Sequence, residues 1–427
     1  MKFTDDIFNK TQGEITRIQD SLLGETLDYV RKNSPFYAER FKDKPRLSGV
    51  EEITGLPLTS KEDLQRDNGA FLCVGKERVS EVVATTGTTG TQVFVWLTEN
   101  DVIRVAENEK RHFQNAGFTP SDAVLLSVTL DNLFIAGMAY YAGLKRLGAT
   151  VVRLGPQSPK KHLELFETLG PSGIVAVPSF VAAVYKQADK EGIPLGSLPF
   201  NKAVLIGETI RNADFTSNTL GNIVQRKALL ETFSTYGLTE AAIAFCECPV
   251  KKGFHSNPDM VFAEVVDDEG RPVPDGAPGE LVVTTFGVEA TPLIRYCTGD
   301  VTFKIPGTCP CGRAGARIGP IIGRKAQRLK LKGTTVYPRT IENALAEIEG
   351  IENYVIEAYS GPVNEDRIVV KIGANATQPG LADTVREAIK AKARVTPQVE
   401  ILTPGEVDKI LFEGNRRKPL VFIDRRR

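Results

Sequence analysis

Histidine, tryptophan and methionine are scarce, with 3, 1 and 3 residues in a chain of 427. Only His112, His162 and His255 are available as imidazole bases, and the chain has neither a G-x-S-x-G elbow nor an H-E-x-x-H pair. Hydrolase and zincin chemistry therefore lack their usual parts. Net charge is also missing: 53 basic residues balance 53 acidic ones, so no global field draws the chain to nucleic acid or to a membrane surface. The longest apolar run, Leu133 to Leu144, is well short of the roughly 20 residues that span a bilayer. Met1 to Asp6 includes no apolar segment, so we expect no secretory leader and a cytoplasmic location. There the 6 cysteines stay reduced, and their spacing reads as metal or core chemistry rather than as disulfides.

What is present is alternation. From Val79 to about Ala213, short β-rich runs alternate with helix-like segments: Val82-Val83, Val93 to Leu97, Val124 to Ser127, Val151 to Leu154, Gly173 to Val177 and Ala203 to Gly207. The pattern predicts an α/β fold, an open sheet with covering helices. Ahead of it, apolar residues at Ile15, Ile18, Leu22, Leu27 and Val30 predict a helix within Ile7 to Lys32, followed by a loop-rich stretch to Thr59. After Ala241, strands and Gly/Pro turns predict a smaller β-rich subdomain. Beyond Gly323, helices near Arg339 to Ile348 and Leu381 to Ala393 accompany strands at Tyr354 to Tyr359, Ile368 to Ile372 and Val399 to Leu402, which suits a small α+β domain. The expected division is a large domain over residues 1–322 and a small one over 323–427, ending in a solvated Arg425-Arg426-Arg427 tail.

The strongest local motif is Ala84-Thr85-Thr86-Gly87-Thr88-Thr89-Gly90-Thr91, directly after Val82-Val83. Its glycines allow tight turns, and its backbone N–H groups and hydroxyls suit an anion such as triphosphate. It is not a Walker loop, which needs four residues between the glycines and a lysine after the second. Further along come Ile206-Gly207-Glu208, Tyr236-Gly237-Leu238-Thr239-Glu240, Tyr296-Cys297-Thr298-Gly299-Asp300 and Gly323-Arg324. In this order the segments resemble the adenylate-forming superfamily, and most nearly its phenylacetate-CoA ligase family. The resemblance runs from Ser34-Pro35-Phe36-Tyr37 and Leu56-Pro57-Leu58-Thr59 to Lys418 through Asp424.

The resemblance implies a large adenylation domain with a small mobile lid. It also implies ATP-dependent activation of a small, aromatic carboxylic acid as its acyl-adenylate, release of pyrophosphate, and transfer of the acyl group to coenzyme A. Thr85, Thr86, Gly87, Thr88, Thr89 and Gly90 would cradle phosphates, with Gly207, Glu208, Gly237 and Thr239 also at the nucleotide. Tyr236 would stack on adenine, and Glu240 would hold Mg²⁺, as a carboxylate suits a hard cation. Asp300 would bind the ribose hydroxyls and Arg324 the ribose or a phosphate. Lys418 would bridge carboxylate and α-phosphate, because attack of one anion on another gathers charge that an ammonium neutralises. Asp131, Phe134, Ala136, Gly137 and Tyr141 would line the acyl pocket. A carboxylate at Asp131 would favour a substrate with a hydrogen-bond donor, unless Asp131 is a solvated turn before Asn132.

Cys248, His255, Cys309 and Cys311 would form a closed, structural Zn²⁺ site, with Cys246 an alternative to Cys248. Thr91-Gln92 stands where relatives often have Lys-Pro, Cys297 where an arginine is frequent, and Ala326-Gln327 where two aspartates are frequent at the hinge. The hinge change bears on thiol transfer more than on adenylation. A carrier protein or an amine is the alternative acceptor, a homodimer is open, and a zinc-stabilised, non-catalytic nucleotide-binding protein is the reading from another class.

Overall fold

The computed structural model describes residues 3–4, 6–85, 91–331, 334–361, 365–375, 380–413 and 420–426. It consists of two compact units, residues 1–298 with 302–320, and residues 299–301 with 321–427. Among the described residues, no helix is long and apolar enough to cross a membrane.

The first unit is built on parallel strands in the spatial order Thr150–Arg153, Ala123–Leu126, Gly173–Ala176, Lys202–Leu205 and Glu231–Leu238. Gly173–Ala176 is buried along its whole length, as expected of a strand covered by helices on both faces. The covering helices are delimited by their own sequence. Pro159–Leu169 begins at the Ser158 cap with proline in its first turn, and Ile135–Leu147, Pro159–Leu169 and Pro178–Glu191 stop at Gly148, Gly170 and Gly192, all left-handed. Only a residue without Cβ takes that conformation at little cost.

Three expectations need correction. Glu81–Ala84 and Phe94–Leu97 do not join the large sheet but pair with each other as a separate antiparallel ribbon. The β-rich stretch after Ala241 is not a separate sheet either: Ile243–Glu247 pairs antiparallel with Glu231–Leu238 and carries the same sheet onward. Within the stretch read as loop, Pro35–Arg40 is a helix started by the Ser34 hydroxyl, and Lys61–Arg66 follows further on.

The second unit has a four-stranded sheet in the order Gln398–Leu402, Asp366–Gly373, Asn353–Ser360 and Phe422–Asp424. Helices Pro338–Leu345 and Leu381–Ala393 supply Ile341, Leu345, Leu381, Val385 and Ile389 to the core with Ile356 and Ala358. Period-2 alternation turns Val355 the other way, onto Val407 and Leu411 of helix Pro404–Leu411. Glu357 is fully buried and is held by Lys371 at 2.7 Å, Arg425 at 2.8 Å and Tyr359 at 2.8 Å. Arg425 is exposed but its guanidinium is tied to the buried Glu357, and Arg426 is half-buried on Asp366 and Asp424, so these two are not a free tail; Arg427 lies outside the described residues.

Burial alone would raise the Glu357 carboxyl, but hydrogen bonds from Lys371, Arg425 and Tyr359 outweigh it and hold the group below the usual carboxylate range. Glu357→Gln is expected to cost roughly 2–3 kcal/mol, since it leaves two cations short of a partner and one of them is partly solvated. Urea unfolding of the full chain checks this. A carboxyl depressed by folding stabilises above its unfolded pKa of about 4.3, and that contribution is lost as pH falls through the lower folded value. The gap between wild type and Glu357→Gln should therefore be full at neutral pH and close in acid, and a gap independent of pH would contradict the assignment.

Candidate active site

Adjacent parallel strands end side by side in the first unit. Lys202–Leu205 leads into Ile206-Gly207-Glu208, and Glu231–Leu238 leads into Thr239-Glu240. This carboxyl edge is where ligands settle in open α/β sheets. Gly207 has φ 76° and no atom within 4 Å of where a Cβ would lie, so the turn faces open space.

Glu240 is the best-defined polar group at this edge. Its side chain is buried, and Oε1 lies 3.2 Å from Lys61 Nζ and 3.2 Å from the Tyr296 hydroxyl, which donates to it. Burial, and then the Glu240 charge, push the Tyr296 phenol far above its ordinary range, so it stays protonated. Helix Lys61–Arg66 presents Lys61 from a Ser60/Asp63 capping box, and Thr59 ahead of it donates to the Ile294 carbonyl at 2.7 Å. Arg104, fully buried in helix Glu99–Asn115, donates to the carbonyls of Ala242, Met260 and Phe286. Ala242 has φ 46° and its N–H donates to Thr239, so Arg104 holds the turn that carries Glu240.

Neither Lys61 nor Arg104 was among the candidates read from the sequence. The Leu56 to Thr59 run two residues upstream was the available signal for Lys61. Arg104 had none, because its partners are main-chain carbonyls far away in the chain.

Tyr236 is half-buried, with its ring 5.9 Å from that of Phe245; Gly237 is exposed and Thr239 half-buried. Glu208 accepts from the Ser179 N–H and hydroxyl, both at 2.8 Å, and so satisfies the start of helix Pro178–Glu191. Thr85 closes the stem of the Thr/Gly loop: its N–H donates to Val93 O at 3.0 Å and its hydroxyl accepts from Val93 N–H at 3.1 Å. Thr86, Gly87, Thr88, Thr89, Gly90 and Lys418 lie outside the described residues. Asp131 is exposed and accepts from the Asn132 amide at 2.9 Å, with Asn132 left-handed, which is the geometry of a turn. Phe134, Ala136 and Tyr141 pack on the core around Tyr140 and Leu144, and a Cβ on Gly137 would run into the Thr129 carbonyl. Asp300 and Arg324 belong to the second unit, where they pair across two antiparallel strands with Arg324 Nε 3.5 Å from Asp300 Oδ1.

The fold also gathers Cys248, His255, Cys309 and Cys311, whose ligand atoms all lie within 4.8 Å of one another. Cys248 Sγ is 3.7 Å from Cys309 Sγ, and Cys311 Sγ is 3.6 Å from His255 Nε2. A tetrahedron with bonds of about 2.3 Å has edges of about 3.8 Å, so the set has the dimensions of a zinc site. Burial, with Arg317 and Arg313 nearby, pushes His255 down to about 4 and keeps its imidazole neutral, as a ligand must be. Burial pushes the Cys248 thiol up to about 12, so without a cation this thiol stays protonated. Cys246 is buried and its thiol contacts the Glu247 carbonyl at 3.3 Å; the four-residue set is made with Cys248.

A carboxyl edge with a buried carboxylate, followed by a separate small α+β unit, is the arrangement expected of an adenylate-forming enzyme. Residues 48–290 match the AMP-binding enzyme family and residues 333–426 match the AMP-binding enzyme C-terminal domain. The chain belongs to this family and is an ATP-dependent, AMP-forming ligase. It is 30% identical over 440 residues to the phenylacetate-coenzyme A ligase of Thermus thermophilus, covering 96% of this chain and 97% of that one. The phenylacetate-coenzyme A ligase of Escherichia coli is 26% identical over 423 residues, covering 95% and 94%. The fold matches that of 2-hydroxyisobutyryl-CoA ligase in its postadenylation state, with a TM-score of 0.83 at 18% identity over 98% of this chain and 91% of that one.

Proposed function

We propose that the chain converts an aryl or arylacetic acid to its acyl-adenylate and then to its coenzyme A thioester. The observation that carries this reading is the buried Glu240 carboxylate at the ends of the parallel strands, already matched to a cation. The likeness to phenylacetate-coenzyme A ligases along nearly the whole chain supports the acid class and the acceptor.

In this reading Tyr236 offers its ring to adenine, and Gly207, open on its outer side, lets the nucleotide lie close to the backbone. Thr85 fixes the stem from which the phosphate loop springs. Glu240 would hold Mg²⁺, and Lys61, which now pairs with it, would then be available to a phosphate oxygen. Mg²⁺ would neutralise charge on the phosphates while the substrate carboxylate attacks the α-phosphorus and pyrophosphate departs. Asp300 takes the ribose hydroxyls, and the residues from about Gly323 onward serve as the lid. Cys248, His255, Cys309 and Cys311 hold a structural Zn²⁺, with no position left for water.

The test is pyrophosphate release from ATP and Mg²⁺ with a panel of aryl and short aliphatic acids, with and without coenzyme A. Acid-dependent release and an aryl-CoA product are expected. Glu240→Gln is expected to raise the Mg²⁺ concentration for half-maximal rate by roughly tenfold, because one anionic ligand is lost. ATP binding with no release for any acid would sink the ligase reading in favour of a non-catalytic one. A product only with a carrier-borne thiol would reassign the acceptor.

A further inference from the structure

The second unit contains a polar knot that the chemistry above does not use. Arg426, in the stretch expected to be solvated, has five N–H donors, and all of them are engaged. Nε donates to Asp424 Oδ1 at 2.8 Å and Nη2 to Asp424 Oδ2 at 2.5 Å, the forked pairing that fits a carboxylate. Nη2 also reaches the Ala326 carbonyl at 3.2 Å. Nη1 donates to the Arg328 carbonyl at 2.7 Å and to Asp366 Oδ2 at 3.0 Å. That same Asp366 oxygen accepts from the Lys330 N–H at 2.6 Å.

Ala326 and Arg328 lie in and just after the short helical turn Lys325–Gln327, which follows the strand Gly323–Arg324. This is the segment where the lid would pivot. Asp424 ends the strand Phe422–Asp424, which pairs in parallel with Asn353–Ser360 and follows Lys418 by a few residues. The strand is fixed from the other side as well, since Arg425 N–H donates to Ala358 at 2.8 Å and its guanidinium grips Glu357. One guanidinium thus joins residues 326–328 to the C-terminal strand Phe422–Asp424.

We infer that Arg426 is a positioning residue that locks residues 325–330 to the C-terminal strand Phe422–Asp424, so that this turn keeps one conformation and moves with the sheet of the second unit. The inference rests on the ligase reading for its catalytic consequence but not for its mechanical one. The direction of a carbonyl depends on the ψ of its own residue, so two carbonyl acceptors on one planar donor hold the turn in a single conformation.

The experiment uses the full chain and Arg426→Ala, with two readouts. The first needs no substrate: hydrogen exchange of amides 325–331 is expected to speed up by roughly tenfold in the variant, with amides in Leu381–Ala393 unchanged. The second compares single-turnover rates of acyl-adenylate formation and of thioester formation from acyl-adenylate, each per titrated active site. Their ratio is expected to shift by roughly fivefold or more, because the two steps use different lid positions. A purely structural role would lower the thermal midpoint and leave this ratio unmoved. Unchanged exchange at 325–331, or half-reactions that fall in equal proportion, would overturn the inference. If wild type releases no pyrophosphate with any acid, the ligase reading fails by itself and the exchange readout alone decides whether the lock exists. Should Arg426→Ala not fold, Arg426→Lys takes its place with the same outcomes, since it keeps the charge but not the fork.

Discussion

Replacing Lys418 by alanine is expected to lower acid-dependent pyrophosphate release by roughly two to three orders of magnitude while leaving ATP affinity within a few-fold of wild type. The substrate carboxylate and the α-phosphate are both anions, and their approach concentrates negative charge that neither had in the ground state. An ammonium placed there stabilises the transition state more than the bound reactants, so its loss falls on the turnover rate rather than on binding. Thioester formation from preformed acyl-adenylate should suffer much less, because the phosphate is then a leaving group already in place. Equal damage to both half-reactions, or a weak effect on the first, would remove Lys418 from the proposed role. Lys418 lies outside the described residues, but the strand Phe422–Asp424 beyond it is held in register against Ile356, Glu357 and Ala358.

The second large effect is expected at the cysteine cluster. Cys309→Ser should reduce bound zinc from about one per chain to near none and lower the thermal midpoint by several degrees or more, with loss of soluble protein. Three segments meet at this set: Cys248 follows the strand Ile243–Glu247, His255 lies in the strand Phe254–His255, and Cys309 and Cys311 precede Arg317–Ile318. Without a cation, buried thiols and a neutral imidazole attract one another only weakly, so the segments lose their common anchor. Metal analysis of the purified protein, then of the protein after chelation, is the direct check. A chain that carries no metal as isolated, and that is indifferent to Cys309→Ser, would leave the cluster as ordinary buried thiols.

The sequence made the elements with strong periodicity legible. Leu381–Ala393 was read with its observed bounds, and the strands Ala123–Leu126, Thr150–Arg153, Gly173–Ala176, Lys202–Leu205, Asn353–Ser360, Asp366–Gly373 and Gln398–Leu402 fell within a residue or two of expectation, whereas Glu231–Leu238 and Tyr296–Ile305 were not assigned as strands. Helix Glu99–Asn115 was not assigned, because Asp101, Arg104, Glu107, Asn108, Glu109, Arg111 and His112 are buried on it and an apolar stripe is absent. For Asp101, Arg104, Asn108 and Arg111, that burial depends on partners more than a hundred residues away, which local patterns do not contain. At the candidate site, the Cys/His quartet was named from residue types together with the family resemblance, and the structure brings its four members together. Lys61, Arg104 and Arg426 could not, since each acts on a carbonyl or a carboxylate that only the fold supplies.

The three carbonyls gripped by Arg104 lie 138, 156 and 182 residues further along the chain. Until Ala242, Met260 and Phe286 have been made and arranged, this guanidinium has only water to satisfy it, and burying it early would be costly. The helix that carries it must therefore wait, solvated on that side, while the parallel strands behind it assemble from nearer neighbours. Loop closure over such distances is slow. The rate-limiting event in refolding the first unit is therefore expected to be the docking of this helix, which buries the bulkiest fully buried side chain, rather than formation of the sheet.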